Sequence, residues 1–150
     1  MVMHRHLKAT RQAALGHVYE DAMSFRLAAT IVKAGKPIVT GFNSFQSNGF
    51  VDHYTAKMKH IRNSHTTHAE MDAILKARNV TDLSGSKIYV VRIMKDGSFG
   101  MARPCCICEE ILKNYGVQRA IYSIGPNEYG VMKPQKNASD DAIVVTYGNP

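Results

Sequence analysis

The stretch ARPCCICEEIL, residues 102–112, holds every cysteine of the 150-residue chain: Cys105, Cys106 and Cys108. An odd number of thiols within four positions makes a poor disulfide framework, since adjacent cysteines pair only with strain. A metal or reactive site in a reducing compartment fits better. The surrounding residues read as a helix, with Pro104 at its entrance and Gly116 at its exit. On such a helix Cys105 and Cys108 lie on one face, within reach of one ion. The free N–H groups and dipole of a helix start also favour thiolates. Cys106 is turned by about 100° from Cys105 and should point away, packing beside the site.

Two thiolates do not complete a zinc site, so a third ligand must come from another segment. The preceding helical stretch, THAEMDAILKARN at 67–79, places Ala69, Ala73, Ile74 and Ala77 on one face, with Asn79 near its stop. Its first turn offers His68, two residues before Glu70. The same four residues also form a capping-box pattern, Thr67 at the N-cap and Glu70 at the third position, which gives Glu70 a purely structural alternative. KIYVVRIM at 87–94 alternates as a strand, and KDGSFGMAR at 95–103 reads as a glycine-containing loop.

Further out, residues 8–23 have helical spacing through Ala14, Leu15, Val18, Ala22 and Met23. AATIV and PIVTGF are β-rich, and KAGK between them reads as a tight hairpin turn. Residues 44–66 are polar and aperiodic, and a loop that long in a compact domain is usually functional or mobile. Within it Ser44, Asn48, His53 and Lys57 are candidates to hold a sugar or phosphate. Downstream, QRAIYSI is a strand, and GVMK and AIVVTY read as two more. A parallel crossover takes about a dozen residues and usually a helix. IGPNEYGVMKPQ, with two glycines and two prolines, is a poor helix, so AIYS and GVMK should form a hairpin. The order of elements implies an α/β fold, a sheet with helices on its faces. Residues 1–150 read as a single domain, with 135–150 as an extra strand or tail.

HAE at 68–70 and PCCIC at 104–108 together spell H-x-E … P-C-x-x-C, each opening a helix with a strand between them. This arrangement resembles the zinc-dependent cytidine/deoxycytidylate deaminase superfamily. TGFN at 40–43 and KDGSFGMARPCCIC look most like its deoxycytidylate-type and phage-encoded members. The resemblance implies a three-layer α/β/α domain with a mixed five-stranded sheet. It implies Zn2+ held by His68, Cys105 and Cys108, with a fourth position open for water whose pKa the metal lowers. Glu70 would then be the proton shuttle of a hydrolytic deamination, and Asn43 and Ala69 would contact substrate. A turn asparagine such as Asn43 is also common for backbone reasons alone. Arg103 stands where related deaminases often carry Glu or Ser, and could meet a phosphate or face solvent. Phe45 and Tyr122 are candidates to stack on a base, against the ordinary fate of an aromatic in the core. The resemblance also implies a homo-oligomer.

The bulk numbers set bounds. A hydrophobic fraction of 45% and a charged fraction of 21% are ordinary for a globular chain. Charges interrupt every apolar run well short of a membrane span. The basic start MVMHRHLKATRQ lacks the apolar segment of a secretory signal. A cytoplasmic protein with no membrane partner is therefore expected. The net charge of +7 and pI near 9.4 favour an anionic partner. The basic residues are spread out rather than gathered into an aromatic-laced stripe, which favours a small molecule over a polymer. The expected substrate is a cytosine nucleotide or nucleoside, with dCMP to dUMP first. A base within nucleic acid, single-stranded DNA cytosine or tRNA adenosine, is the alternative. A zinc-stabilised binding protein without turnover is the third reading.

Overall fold

The computed structural model describes residues 4–21, 23–47, 49–57 and 66–134, with the backbone of 143–146. Its centre is β3 (Lys87–Ile93), whose alternation is apolar on both faces: Ile88 and Val90 point one way, Tyr89, Val91 and Ile93 the other. A strand buried on both sides must sit between two layers. β1 (Arg26–Lys33) pairs with it antiparallel and β5 (Arg119–Gly125) parallel. β2 (Lys36–Phe42) extends the sheet beyond β1, and β6 (Glu128–Met132) and β7 (Ile143–Thr146) extend it beyond β5. The strand order is β2-β1-β3-β5-β6-β7, with the two-residue β4 (Phe99–Gly100) pairing to β3. The expected five-strand mixed sheet is thus present, with β7 as an added edge and β4 as an appendage.

Helix α1 (Arg5–Gly16) covers the face of Tyr89 and Val91 through Leu7 and Ala14. The other face carries α2 (Gly49–Lys57), α3 (Ala69–Ala77) and α4 (Cys106–Asn114), packed through Val51, Met71, Ile74, Ile107, Ile111 and Leu112. Each large aliphatic among these, fully removed from water, stabilises by about 1.5–3 kcal/mol. Helices on both sides of a mixed sheet make the expected three layers.

Three local features place the site. The β1–β2 turn has positive φ at both central residues, Ala34 (52°) and Gly35 (77°), the twist a two-residue hairpin requires. Gly41 lies against α3 so closely that a Cβ there would sit 2.3 Å from the backbone nitrogen of Ala73. The Phe42 N–H donates to the Asp72 carboxylate at 2.9 Å, and Lys76 pairs with the same carboxylate at 2.8 Å. Together these fix the first turn of α3 beside the end of β2. At the other side β5 and β6 form the expected antiparallel hairpin, with Tyr122 opposite Gly130. The Tyr122 ring lies across that glycine, where a Cβ would be 2.4 Å from its Cζ.

Several expectations are corrected. The first helix spans Arg5–Gly16 rather than 8–23. Beyond Gly16 the chain turns extended, His17 stacks flat on Phe42 with ring centroids 3.8 Å apart, and the Tyr19 hydroxyl donates to the Leu27 carbonyl. These contacts hold residues 17–19 along the sheet, and Val18 is left exposed. The 44–66 segment contains α2, whose buried Val51 and Tyr54 are too few to show a period in the sequence. The glycine-containing loop folds back as β4 on β3. The N-cap of α3 is His68, not Thr67, and its third residue is Met71. Thr67 instead pairs by backbone with Ser44 and donates its hydroxyl to the Gln46 carbonyl. Glu70 is thereby released from the capping role. Ala22, Asn48, His60, His65 and the Lys57 side chain lie outside the described residues, as do 135–142 and 147–150.

Candidate metal centre and active-site cavity

Both site-bearing helices begin at a ligand residue. His68 caps α3 and Cys105 caps α4, each with extended backbone, so their side chains leave the helix ends towards each other. Cys108, one turn into α4, is fully buried. His68 Nδ1 lies 3.5 Å from Cys105 Sγ and 3.3 Å from Cys108 Sγ, and the three donor atoms fall within 4.8 Å of one another. Tetrahedral zinc, with Zn–S near 2.3 Å and Zn–N near 2.05 Å, holds sulfur and nitrogen about 3.5 Å apart. The two thiols and imidazole therefore fit zinc in spacing and in chemistry. Cys106 is exposed, so it faces away from the cluster as expected but is not packed beside it.

These groups lean on one another. The Cys105 thiol is held down to about 4, chiefly by a hydrogen bond from Cys108 and then by His68. The Cys108 thiol is pushed well up by its bond to Cys105 and by burial. His68 is raised by its hydrogen bond to Cys105, against the opposing effect of burial, with the Glu70 charge assisting. Glu70, 4% exposed, is pushed up to about 7 by burial, partly offset by His68. A carboxyl poised near neutrality can both take and return a proton.

A cavity of about 610 Å³ opens over this cluster, and His68, Ala69, Glu70 and Cys105 are in its lining. Its walls come from Leu27, Asn43, Phe25, Phe45 and Met101. Of the candidates, Asn43, Ala69, Phe45 and Arg103 all reach the cavity. Asn43 is also a structural brace: Oδ1 accepts from the Leu27 N–H at 2.9 Å, and Nδ2 donates to the Phe25 carbonyl at 2.7 Å. Tyr122 is in the core, 2% exposed, and does not line the cavity. Ser44 lines it, whereas His53 does not.

The sequence reading missed Arg92 and Phe25. Arg92 shares the face of Ile88 and Val90 at the far end of β3, and its guanidinium sits 4.2 Å from the Phe25 ring centroid. Its stem passes Gly100, where a Cβ would be 3.4 Å from Arg92 Cδ. One signal was available, since the single charge within IYVVRIM at 88–94 falls on the same face as Ile88 and Val90.

Residues 2–124 match the family model of the cytidine and deoxycytidylate deaminase zinc-binding region. The chain belongs to this family. No curated protein matches it in sequence. Among solved structures, it is similar to the dCMP deaminase of cyanophage S-TIM5 in apo form, with TM-score 0.52, 18% identity, and coverage of 82% of this chain and 86% of that one. The same phage enzyme in complex with dCMP and dUMP gives TM-score 0.52 and 20% identity over 78% and 76% of the two chains. Cytidine deaminase from Burkholderia pseudomallei gives TM-score 0.54 at 18% identity over 98% and 94%. At such identities the structural likeness establishes the fold. The family match and the His68–Cys105–Cys108 cluster establish a zinc-dependent deaminase, a hydrolase acting on an amidine C–N bond of a cytosine nucleotide or nucleoside. No helix among the described residues is long and apolar enough to cross a membrane.

Proposed function

We propose that this chain deaminates a free cytosine nucleotide, dCMP to dUMP first, with Glu70 as the proton shuttle. The observation that carries the nucleotide over the nucleoside is the pair of arginines, Arg92 and Arg103, in the wall of the Glu70 cavity. Among the described residues neither guanidinium has a carboxylate partner, and Phe25 holds that of Arg92 in place. Two such cations beside an apolar slot suit a ring with a phosphate attached. The ring packs between Phe25, Phe45 and Met101, and the Ala69 backbone lies at its inner end.

Zinc held by His68, Cys105 and Cys108 supplies a Lewis acid that lowers the pKa of water. Glu70 takes one water proton on its carboxylate and delivers it to ring N3, then takes the second proton from the hydroxyl added at C4 and gives it to the exocyclic nitrogen as the C4–N bond breaks. Water and cytosine thus become uracil and ammonia. Burial of Glu70 excludes bulk water from these transfers. Asn43 contributes by holding the residue 25–27 wall, with any sugar contact made through the remaining lone pair of its Oδ1.

The same reading takes the chain as one domain that works in the cytoplasm and self-associates. Three free thiols within four positions suit a reducing compartment. Ammonia release from dCMP, deoxycytidine, cytidine, cytosine and a single-stranded oligonucleotide tests the substrate. Fastest release from dCMP is expected. Release from the oligonucleotide alone overturns the ranking in favour of a polymer.

A further inference from the structure

A second cavity, of about 400 Å³, lies on the opposite face of the sheet at the opposite end of β3, between the start of α1 and the β1–β2 turn. His4, Arg5, His6, Lys87 and Tyr89 are in its lining, and no carboxylate is. The arrangement runs against ordinary electrostatics. A helix start carries partial positive charge and favours acidic residues. The first turn of α1 has none, and Arg5, His6 and Lys8 occupy it instead. Across the sheet Lys87 stands beside Arg119 on the neighbouring parallel strand, a like-charge pairing that destabilises a sheet. At the hairpin tip Lys33 faces Lys36.

His6 adds an independent observation. It is only 8% exposed and lines the cavity, yet its imidazole has no hydrogen-bond partner among the described residues. The ring lines the cavity, so its nitrogens are open to a ligand bound there. Its pKa is lowered by burial and by Arg5 and Lys87, and that of His4 by burial, then His6, Arg5 and Lys87. His4 Nδ1 accepts from the His6 N–H at 3.3 Å, which leaves its Nε2 side as the donor. Both rings pack on Tyr89, at centroid distances of 5.0 and 4.9 Å, so their orientation is fixed.

We propose that this cavity is a binding site for a small phosphate-bearing anion, separate from the deaminase centre. Arg5 and Lys87 supply the charge, and the two imidazoles, with the first-turn N–H groups of α1 other than that of His6, supply directional donors. An anion there relieves the repulsion between Lys87, Arg119 and Arg5 and gives the His6 ring its missing partner. The bounded volume suits a compact ligand rather than a strand of polymer.

The test follows amide and imidazole NMR signals in the zinc-loaded full chain during titration with inorganic phosphate, with chloride at equal ionic strength as control. Saturable shifts are expected at Arg5, His6 and Lys87, weakened about tenfold or more in Arg5→Gln/Lys87→Gln. kcat/KM for deamination in that variant should stay within about twofold, which also reports an intact fold. A second variant, His4→Gln, should weaken phosphate binding less, since it removes one donor and no fixed charge. Shifts that do not saturate, that chloride reproduces, or that persist in the double variant overturn the proposal. If only a single-stranded oligonucleotide saturates these signals, the small-anion site is refuted in favour of a polymer surface. None of these outcomes depends on which cytosine compound the enzyme deaminates.

Discussion

The two cavities put the same residue type at a helix start and give it opposite surroundings. His68 begins α3 beside two thiols and a buried carboxyl, and its pKa is raised by the hydrogen bond to Cys105 and by the Glu70 charge. His4 and His6 begin α1 among arginine and lysine, and their pKa values are lowered first by burial and then by these cations. The first setting collects anionic donors, and so calls for a cation. The second collects cations and N–H groups, and so calls for an anion. A helix N-terminus and an imidazole do not specify a ligand by themselves; the charge gathered around them does.

The largest effect should come from exchanging a histidine in one cavity but not in the other. His68→Ala removes one of three metal donors, so zinc content should fall to background. Deamination should drop by at least about 10³-fold, because the metal supplies several kcal/mol of charge stabilisation. His6→Gln, and Cys106→Ser on the exposed side of α4, should keep both zinc and turnover. Metal analysis and ammonia release on the same preparations decide this, and zinc loss in His6→Gln would erase the distinction between the cavities.

Next in size is Glu70→Gln, a change within the first cavity. Glu70 is not among the three donors and does not cap α3, so the variant should fold and bind zinc. Turnover should fall by about 10²- to 10⁴-fold, the usual loss for a general acid–base group. Near-normal turnover with zinc in place would remove Glu70 from the chemistry.

How much of this was legible in the sequence depends on how far apart the contributing residues lie. The metal cluster comes from two short motifs, each at a helix start: spacing paired Cys105 with Cys108, and the family resemblance of the H-x-E motif brought in His68. The hairpin at 33–36 and the antiparallel β5–β6 ending were legible too, from turn residues and from the lack of helix-forming residues between the strands. The cavity wall was not, because Phe25, Arg92 and Met101 come from three segments that meet only once β1, β3 and β4 pair. The capping box misled because Thr67 is taken up by a bridge to Ser44, a partner far away in sequence. Tyr122 misled in the other direction: its ring fills the space left by Gly130, and single residues do not announce such pairings. The basic cavity has no motif, since Arg5 and Lys87 are far apart in sequence and share only their charge.

A smaller effect should separate the wall from the floor of the first cavity. Arg92→Gln keeps the stem across Gly100 but removes the guanidinium over Phe25. kcat/KM for dCMP should fall about 10- to 100-fold, as expected for one charge-assisted phosphate contact, while that for deoxycytidine should hardly change. An equal loss on both would make Arg92 a packing residue and return the phosphate to Arg103 or to no residue at all.

The smallest effect concerns pH and belongs to the second cavity. The folded-state pKa values of His4 and His6 lie below the ordinary 6.5. Above pH 6.5 both rings are neutral in the folded and unfolded chains, and their full contribution to stability is present. As pH falls through 6.5 towards the folded values, the unfolded chain takes up protons first, and stability declines. The charged groups facing these rings are Arg5 and Lys87, and the other titratable neighbours are Tyr89 on β3 and Tyr129 on β6, so no carboxylate there offsets the trend. Thermal unfolding of the zinc-loaded protein between pH 7 and 5.5 should show a shallow fall in Tm. His4→Gln/His6→Gln should flatten it, and saturating phosphate should do the same by raising the folded-state pKa values. A decline that survives both changes would place its origin in other groups, and would leave the two helix starts electrostatically alike.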